Sequence, residues 1–594
     1  MKALRHLNRY LYKYRWRFLA GVLFVAISVV FRIYPAQLVR QSFDAIEQSF
    51  ETAPAGSVDP GDLKSKLVLY GLAIIGSSLL AGVFMFFMRQ TIIVMSRHIE
   101  YDLKNEIFDQ YQKLSLGFYK THSTGDLMNR ISEDVSRVRM YIGPAIMYAV
   151  NVVITLVMVI AIMLSINVEL TLYVLAPLPV LSYAIYKISV AINQRSERVQ
   201  AKLSDLSTYV QEAFSGIRVL KVYVQEPRVS DEFAALSDEY RGLNEKLYKV
   251  DALFFPLMSL LIGLSTLATI YIGGLQTIAG EISAGNIAEF VLYVNLLTWP
   301  VASIGWVSSI VQRAEASQER INEFLREHPE IQNQGQLGPD PKGQIEFRKV
   351  GFTYPDSGIR ALNDLSFVVE QGQTLAVLGK TGSGKSTLTA LLGRLYDPTE
   401  GEIYLDGKPL REWDLGQLRR SLGFVPQDAF LFSETLKYNI AFGTHAASDT
   451  DIEKAAQAAE IHETILGFPE GYATRVGERG LSLSGGQKQR VSIARALVGH
   501  PALLVFDDCL SAVDTETESK ILSNLLEISR NRSTLLISHR VSTVMHADLI
   551  VVLDKGEVVE RGTHEALMAL GGIYADLYRR QLEEARSAVE DQTL

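Results

Sequence analysis

The feature that most constrains this chain is a set of long runs without charge in its first half. The clearest are 67–88, 141–168, 252–280 and 290–312. Each is long enough for a helix to cross a bilayer, which takes about 20 residues. Two less clean runs accompany them. Residues 16–39 are interrupted by Arg32, and 170–186 form a shorter run containing Pro177 and Pro179. The turn-like Asn167-Val168-Glu169 separates this last run from the one before it. Six such runs in about 300 residues exceed what the buried core of a soluble domain holds. The pattern predicts six transmembrane helices.

Charge then orients them, because Lys and Arg collect on the cytoplasmic side. Residues 1–17 carry Lys2, Arg5, Arg9, Lys13, Arg15 and Arg17. The segments after the second and fourth runs are also basic. The stretches 41–63, after Asn167 and around Glu281 hold no Lys or Arg, although Arg40, Lys64 and Lys66 flank the first of them. Both termini are expected in the cytoplasm of a multi-pass protein of the cytoplasmic (inner) membrane, with the lipid bilayer as a partner. No short apolar run ending in small residues marks a cleaved leader. The single cysteine, Cys509, excludes an intrachain disulfide framework. A net charge of -8 without a basic face argues against nucleic acid as a partner.

The two basic inner segments, roughly 50 to 60 residues each, read as helical continuations of the spans. Each breaks once, at 118–126 and at 213–217. A break at the tip of a helical hairpin suits a short crosswise helix that touches another domain. Pro177, Pro179, Pro256 and Pro300 are expected to kink or loosen their helices.

A Pro/Gly/Gln-rich stretch, 328–343, leads into a second half of ordinary soluble composition. Its apolar run 375–378 is followed by Gly379-Lys380-Thr381-Gly382-Ser383-Gly384-Lys385-Ser386-Thr387 and a helical pattern. This is the phosphate-binding loop in the strand-to-helix context that validates it. Its glycines let backbone N–H groups surround phosphates at a helix N-terminus. Lys385 would neutralise the β- and γ-phosphates, and Ser386 would offer its hydroxyl to Mg2+. Further on, the apolar run 502–506 delivers Asp507 toward the metal and Asp508 toward the attacking water.

Between these elements lies Leu483-Ser484-Gly485-Gly486-Gln487. With it, the chain resembles the ATP-binding cassette exporters, as a half-transporter of the multidrug and lipid type. The resemblance covers nearly the whole length. It implies that Tyr354 stacks on adenine and that Gln427 senses Mg2+. It further implies that Glu478 marks the acidic loop of exporters, that the loop 511–514 communicates across a dimer, and that His539 contacts the γ-phosphate. Ser484, Gly485, Gly486 and Gln487 would bind the ATP held by a second subunit. A chain with one cassette must therefore pair with another.

One position departs from that family. The residue after the metal-binding Asp is usually Glu, the general base; here it is Asp508. Its reach is shorter by one methylene, about 1.5 Å, and a misplacement of about 1 Å can cost on the order of 100-fold in rate. An Asp there resembles the degenerate-site chain of heterodimeric exporters, whose partner chain carries the catalytic Glu.

The expected fold is an α-helical membrane domain of six spans followed by an α/β nucleotide-binding domain. The expected boundaries are 1–325 for the membrane domain, 326–343 for the linker, 344–582 for the cassette and 583–594 for a tail. The expected cofactors are ATP and Mg2+, bound by Tyr354, Gly379, Thr381, Gly382, Ser383, Gly384, Lys385, Ser386 and Thr387. Asp508, His539 and Gln427 are the expected catalytic residues, and Ser386, Gln427 and Asp507 the metal ligands. The expected activity is ATP-dependent export of a small amphipathic substrate by alternating access. The alternatives are a slow homodimeric exporter and an ATP-gated channel or regulator. Arg32 either lines the transport path or snorkels to a membrane surface. Trp299 and Trp306 fit amphipathic cargo or packing equally.

Overall fold

The computed structural model describes residues 2–51, 60–444, 446–477, 480, 483–510, 513–530 and 532–591. Glu478, Ser511 and Ala512, named above, lie outside them. The chain divides into two compact units. One comprises Met1–Gln112 with Gly125–Glu327, the other Lys113–Thr124 with His328–Leu594.

The first unit is helical. Its helices are α1 (Arg15–Glu51) and α2 (Pro60–Lys113). After the short α3 (Leu116–Thr121), which belongs to the second unit, comes α4 (Thr124–Ile166). There follow α5 (Val168–Leu175), α6 (Pro177–Ser215), α7 (Ile217–Val222), α8 (Glu226–Asp251), α9 (Phe254–Ile278) and α10 (Ala284–Arg326). In hydrocarbon every backbone polar group must be satisfied within its own segment, so uncharged runs of this length become helices. The 54 residues of α2 span about 80 Å at 1.5 Å each, far more than the roughly 30 Å of a bilayer core. The basic segments do continue the spans.

Among the described residues, five helices are long and apolar enough to cross a membrane. The expected span 170–186 is not one of them. Asn167 ends α4 in an extended conformation, and its side chain accepts a hydrogen bond from the Leu170 N–H at 2.9 Å to start α5. That helix stops at Leu175, and Pro177, which has no N–H to donate, opens α6. The stretch is two helices meeting at Ala176. Pro256 also behaves differently from expectation, since it sits in the first turn of α9, where its missing donor costs nothing. Pro300 lies inside α10 as expected. Two π-helical turns, Arg130–Asp134 and Tyr141–Ala145, interrupt α4, the second around Pro144.

The core of this unit joins Val25, Val29 and Ile33 of α1 to Val159 and Met163 of α4 and to Phe290 and Tyr293 of α10. Buried polar ties reinforce it. Arg40 pairs with the fully buried Glu289 at 3.2 Å, and the Tyr293 hydroxyl donates to Glu289 at 2.7 Å. Helices α6 and α8 pair as a hairpin whose tip is α7. That tip is apolar and bare: Phe214 is 71% and Val222 74% exposed.

The second unit contains two sheets. A four-stranded antiparallel sheet has the order β2-β1-β4-β5, from β1 (Ile345–Thr353), β2 (Arg360–Val369), β4 (Glu400–Leu405) and β5 (Lys408–Pro409). The other has the order β10-β9-β3-β8-β7-β6. Its strands are β3 (Thr374–Gly379), β6 (Leu422–Val425), β7 (Leu503–Asp507), β8 (Ser533–Ser538), β9 (Leu549–Asp554) and β10 (Glu557–Gly562). All neighbours are parallel except β10 with β9. β3, β7 and β8 are buried at every residue. Continuous apolar runs of that kind are what a parallel sheet covered on both faces requires.

The first crosswise tip lies with this unit, as its sequence suggested. The Ser115 hydroxyl accepts a hydrogen bond from the Ile331 N–H at 3.0 Å. From α3, Lys120 places its ammonium 4.6 Å from the ring centre of Tyr354 and 5.2 Å from that of Tyr396.

Candidate functional site

Four parallel strands deliver the site, each at its C-terminal end. β3 runs into the glycine loop, and α11 (Lys385–Leu392) follows it directly. Gly382 and Gly384 adopt φ of +83° and +99°, the left-handed region that side chains avoid. A Cβ on Gly384 would also stand 2.4 Å from the Ala361 carbonyl oxygen. Only glycine fits there. The loop folds around Lys385, whose ammonium donates to the carbonyls of Gly379 and Lys380 at 2.8 Å each. Burial pushes this ammonium below its ordinary range, against the pull of Asp508 and Asp507.

β7 ends at Asp507, which is 5% exposed. The Ser386 hydroxyl donates to one of its oxygens at 3.1 Å, and the Thr389 hydroxyl to the other at 3.3 Å. Burial raises the carboxyl above the usual aspartate range; those two hydroxyls oppose the shift and the charge of Asp508 adds to it. Next along the chain, Asp508 turns out of the strand at φ +46°. β8, which lies between β3 and β7, leads to His539. Its Nδ1 lies 2.9 and 3.0 Å from the two carboxylate oxygens of Asp508. With a carboxylate on Nδ1, that nitrogen carries the proton, and protonation of Nε2 turns the other edge into a donor for an oxyanion. Gln427 follows β6.

These groups line one cavity of about 450 Å³. Tyr354, Thr381, Gly382, Gly384, Lys385, Ser386, Thr387, Gln427, Asp507, Asp508 and His539 all face it. Tyr354 is held at its rim by a 3.0 Å hydrogen bond between its hydroxyl and that of Thr387. Gly379 and Ser383 are not among the lining residues, and the Ser383 hydroxyl is buried without a hydrogen-bond partner. An open-α/β ligand site lies where strands end in this way, and the loop geometry is that of a polyphosphate cradle. The metal-ligand set is sparse. Among the described residues no three His, Cys, Asp or Glu converge. Ser386 and Asp507 thus offer a divalent ion one hydroxyl and one carboxylate, which suits Mg2+ completing its shell with phosphate and water oxygens.

The signature segment is elsewhere. Ser484 caps α12 (Gly485–Leu497) by accepting from the Gln487 N–H at 3.3 Å, while the Gln487 amide oxygen accepts from the Ser484 N–H at 2.9 Å. Gln487 is therefore engaged in its own capping box. Neither Ser484 nor Gly485 nor Gly486 lines the cavity of the glycine loop, and Ser484 and Gly485 are exposed. Asp514, from the predicted cross-dimer loop, caps α13 (Thr515–Ser529) through the Thr517 N–H at 3.0 Å. Sequence reading missed four groups. Thr389 could have been inferred, because it lies one turn after Ser386 on the same helix face. Arg360 and Lys555 line the cavity from other strands' ends, and Lys120 arrives from a distant part of the chain.

Similarity to known proteins decides the family. Residues 16–301 match the model of the ABC transporter transmembrane region, and residues 362–511 the ABC transporter model. The multidrug resistance-like ATP-binding protein MdlA of Escherichia coli (strain K12) is 35% identical over 98% of both chains. The chain belongs to the ABC exporters. Among other relatives of this exporter, the ATP-dependent lipid A-core flippase of Syntrophus aciditrophicus (strain SB) is 34% identical over 87% of this chain and 86% of its own. The structure of a bacterial Atm1-family ABC exporter with ATP bound superposes with a TM-score of 0.80 at 28% identity, covering 96% of this chain and 99% of the other. The exporter is thus a multi-pass membrane protein that binds ATP, couples its hydrolysis to transport and works as a dimer.

Proposed function

We propose that this chain is the half of a heterodimeric exporter that holds ATP at a weakened hydrolytic site and lends its signature helix to a partner chain. The observation that carries this reading is the carboxylate of Asp508 clasped to His539 at 2.9 and 3.0 Å. A general base must reach the water that it activates before its pKa matters. The shorter side chain spends its reach on the histidine, leaving the nucleophile about one methylene short. Tyr354, Gly379, Thr381–Thr387 and Lys385 would hold the nucleotide; Ser386, Asp507 and Gln427 would hold Mg2+. The capped, exposed start of α12 faces no phosphate loop of its own, which fits Ser484, Gly485 and Gly486 serving the partner's ATP.

In this reading ATP draws the two cassettes together, the tips α3 and α7 pass the movement to the spans, and hydrolysis at the partner-based site resets the pair. The bare apolar surface of α7 supports docking on a second subunit. The membrane domain would occupy 1–325 and the cassette 344–582, in the cytoplasmic membrane with both termini inside. The names of the multidrug-resistance and lipid-flippase relatives support an amphipathic cargo. A second reading, a slow homodimer, draws on the retained His539, because the dyad that would polarise water is assembled.

The experiment is isolation of the tagged chain from its native membrane and identification of what accompanies it. A second half-transporter with Glu after its metal-binding Asp is the expected result. Recovery of a pure homodimer would replace the first reading with the second.

A further inference from the structure

Arg32 lies within α1, in the run that the sequence marks as a membrane span. Its Nη2 donates to the Thr155 hydroxyl at 2.7 Å and to the Asn151 amide oxygen at 3.4 Å, both on α4. Its Nε–H is buried and meets no acceptor. Among the described residues no carboxylate pairs with it. Two neutral oxygens can fix the direction of a guanidinium, but they do not cancel its charge. A cation at membrane depth is costly unless something compensates it, and an arginine fork with free donors matches an oxyanion.

Snorkelling does not account for the geometry. A snorkelling arginine points its head toward the nearest interface. Here the acceptors stand well short of the Ile166 end of α4, roughly 16 Å for Thr155 and roughly 22 Å for Asn151 at about 1.5 Å per residue. The head is tied sideways into the helix bundle. Moreover, Tyr148, Asn151 and Thr155 recur on one face of α4. Tyr148 packs edge-on against Trp306 at 5.3 Å. Both line a cavity of about 440 Å³ with Met140, Met147 and Arg89. One helix face thus carries an aromatic and methionine pocket followed by a polar clasp on an uncompensated guanidinium. That sequence of surfaces fits a molecule with an apolar body and an acidic head.

We propose that the exporter's cargo is an anionic amphipath whose phosphate or carboxylate head is recognised by Arg32, with Asn151 and Thr155 as positioning residues. This deepens the export reading above and rests on it.

The test uses the whole assembly, purified through a tag on this chain and reconstituted in phosphatidylcholine vesicles. ATP-dependent translocation is followed for fluorescent phosphatidylglycerol, an N-acylglutamate, phosphatidylcholine and a cationic lipid of matched chain length. The two anionic probes are expected to half-saturate at concentrations about 10-fold or more below the others, the scale of a charge-assisted contact. Comparing phosphatidylglycerol with the N-acylglutamate tells phosphate from carboxylate. Arg32→Gln should collapse the ratio of KM values between anionic and zwitterionic probes, and Arg32→Lys should keep part of it. Equal handling of all charges by the unaltered assembly would overturn the assignment, as would an Arg32→Gln effect equal for every probe. Failure to move any probe would instead overturn the export reading, and this assignment with it.

Discussion

At the scale of the residue, burial sets the chemistry of the carboxylate proposed to hold Mg2+. Asp507 is buried, and its carboxyl is raised above the ordinary aspartate range. Between the ordinary aspartate pKa and the raised folded value, the folded chain therefore binds more protons here than the unfolded chain. This term favours folding below the ordinary aspartate pKa, about 3.9, and is lost as pH rises through the folded value. Two outcomes are expected. Asp507→Asn should raise the melting temperature of the nucleotide-free protein near neutral pH. It should also remove a pH dependence of Mg2+-assisted nucleotide binding. In the unaltered protein that binding weakens with falling pH, and does so at higher pH than for an ordinary aspartate, because protons compete with the metal. Titration of a fluorescent ATP analogue at several pH values checks the second outcome. Gly384→Ala should abolish nucleotide binding, since the new Cβ would meet the Ala361 carbonyl at 2.4 Å. That Lys385, Ser386 and Asp507 meet in one cavity was legible in the sequence, because their placement depends on local spacing around a strand and a turn. Thr389 was overlooked although helix periodicity exposes it. The clasp of Asp508 on His539 was not legible, because it joins the ends of two strands that only the sheet order brings side by side.

At the scale of the element, periodicity and charge marked the long helices and the breaks at their cytoplasmic tips. The break after Asn167 was also legible, as a turn, and the structure shows its cause in the cap that Asn167 supplies to α5. Asn167→Ala should cost about 1 kcal/mol of stability, the usual worth of such a cap, measured as a fall in the midpoint of unfolding in detergent. The split at Pro177 was misread as a loosened single span, because apolar composition alone does not say where a helix restarts. What α3 touches was beyond sequence reasoning. Lys120 lies over Tyr354, so the tip that connects to the spans meets the residue expected to stack on adenine. Lys120→Met should therefore alter coupling more than stability. A cation–π contact at a partly exposed site is worth only about 0.5–1 kcal/mol. ATP hydrolysis should become less responsive to transported substrate while the melting temperature moves little.

For the whole molecule, the glycine loop and the signature helix lie on one cassette but do not face one cavity, and the apolar tip α7 is left bare. Two copies of the architecture are needed to complete what one chain begins. In the proposed reading, the single departure at Asp508 decides how labour is divided between them. Sequence alone carried that argument as far as a missing methylene. The structure adds the partner that the shortened side chain has taken, His539. The most direct measurement is single-turnover hydrolysis of bound ATP by the purified chain paired with a second copy of itself, compared with the same pair carrying Asp508→Glu. The expected result is tight ATP binding with slow hydrolysis, accelerated on the order of 100-fold by restoring the longer carboxylate. Rapid hydrolysis by the unaltered chain, unchanged by Asp508→Glu, would contradict the account.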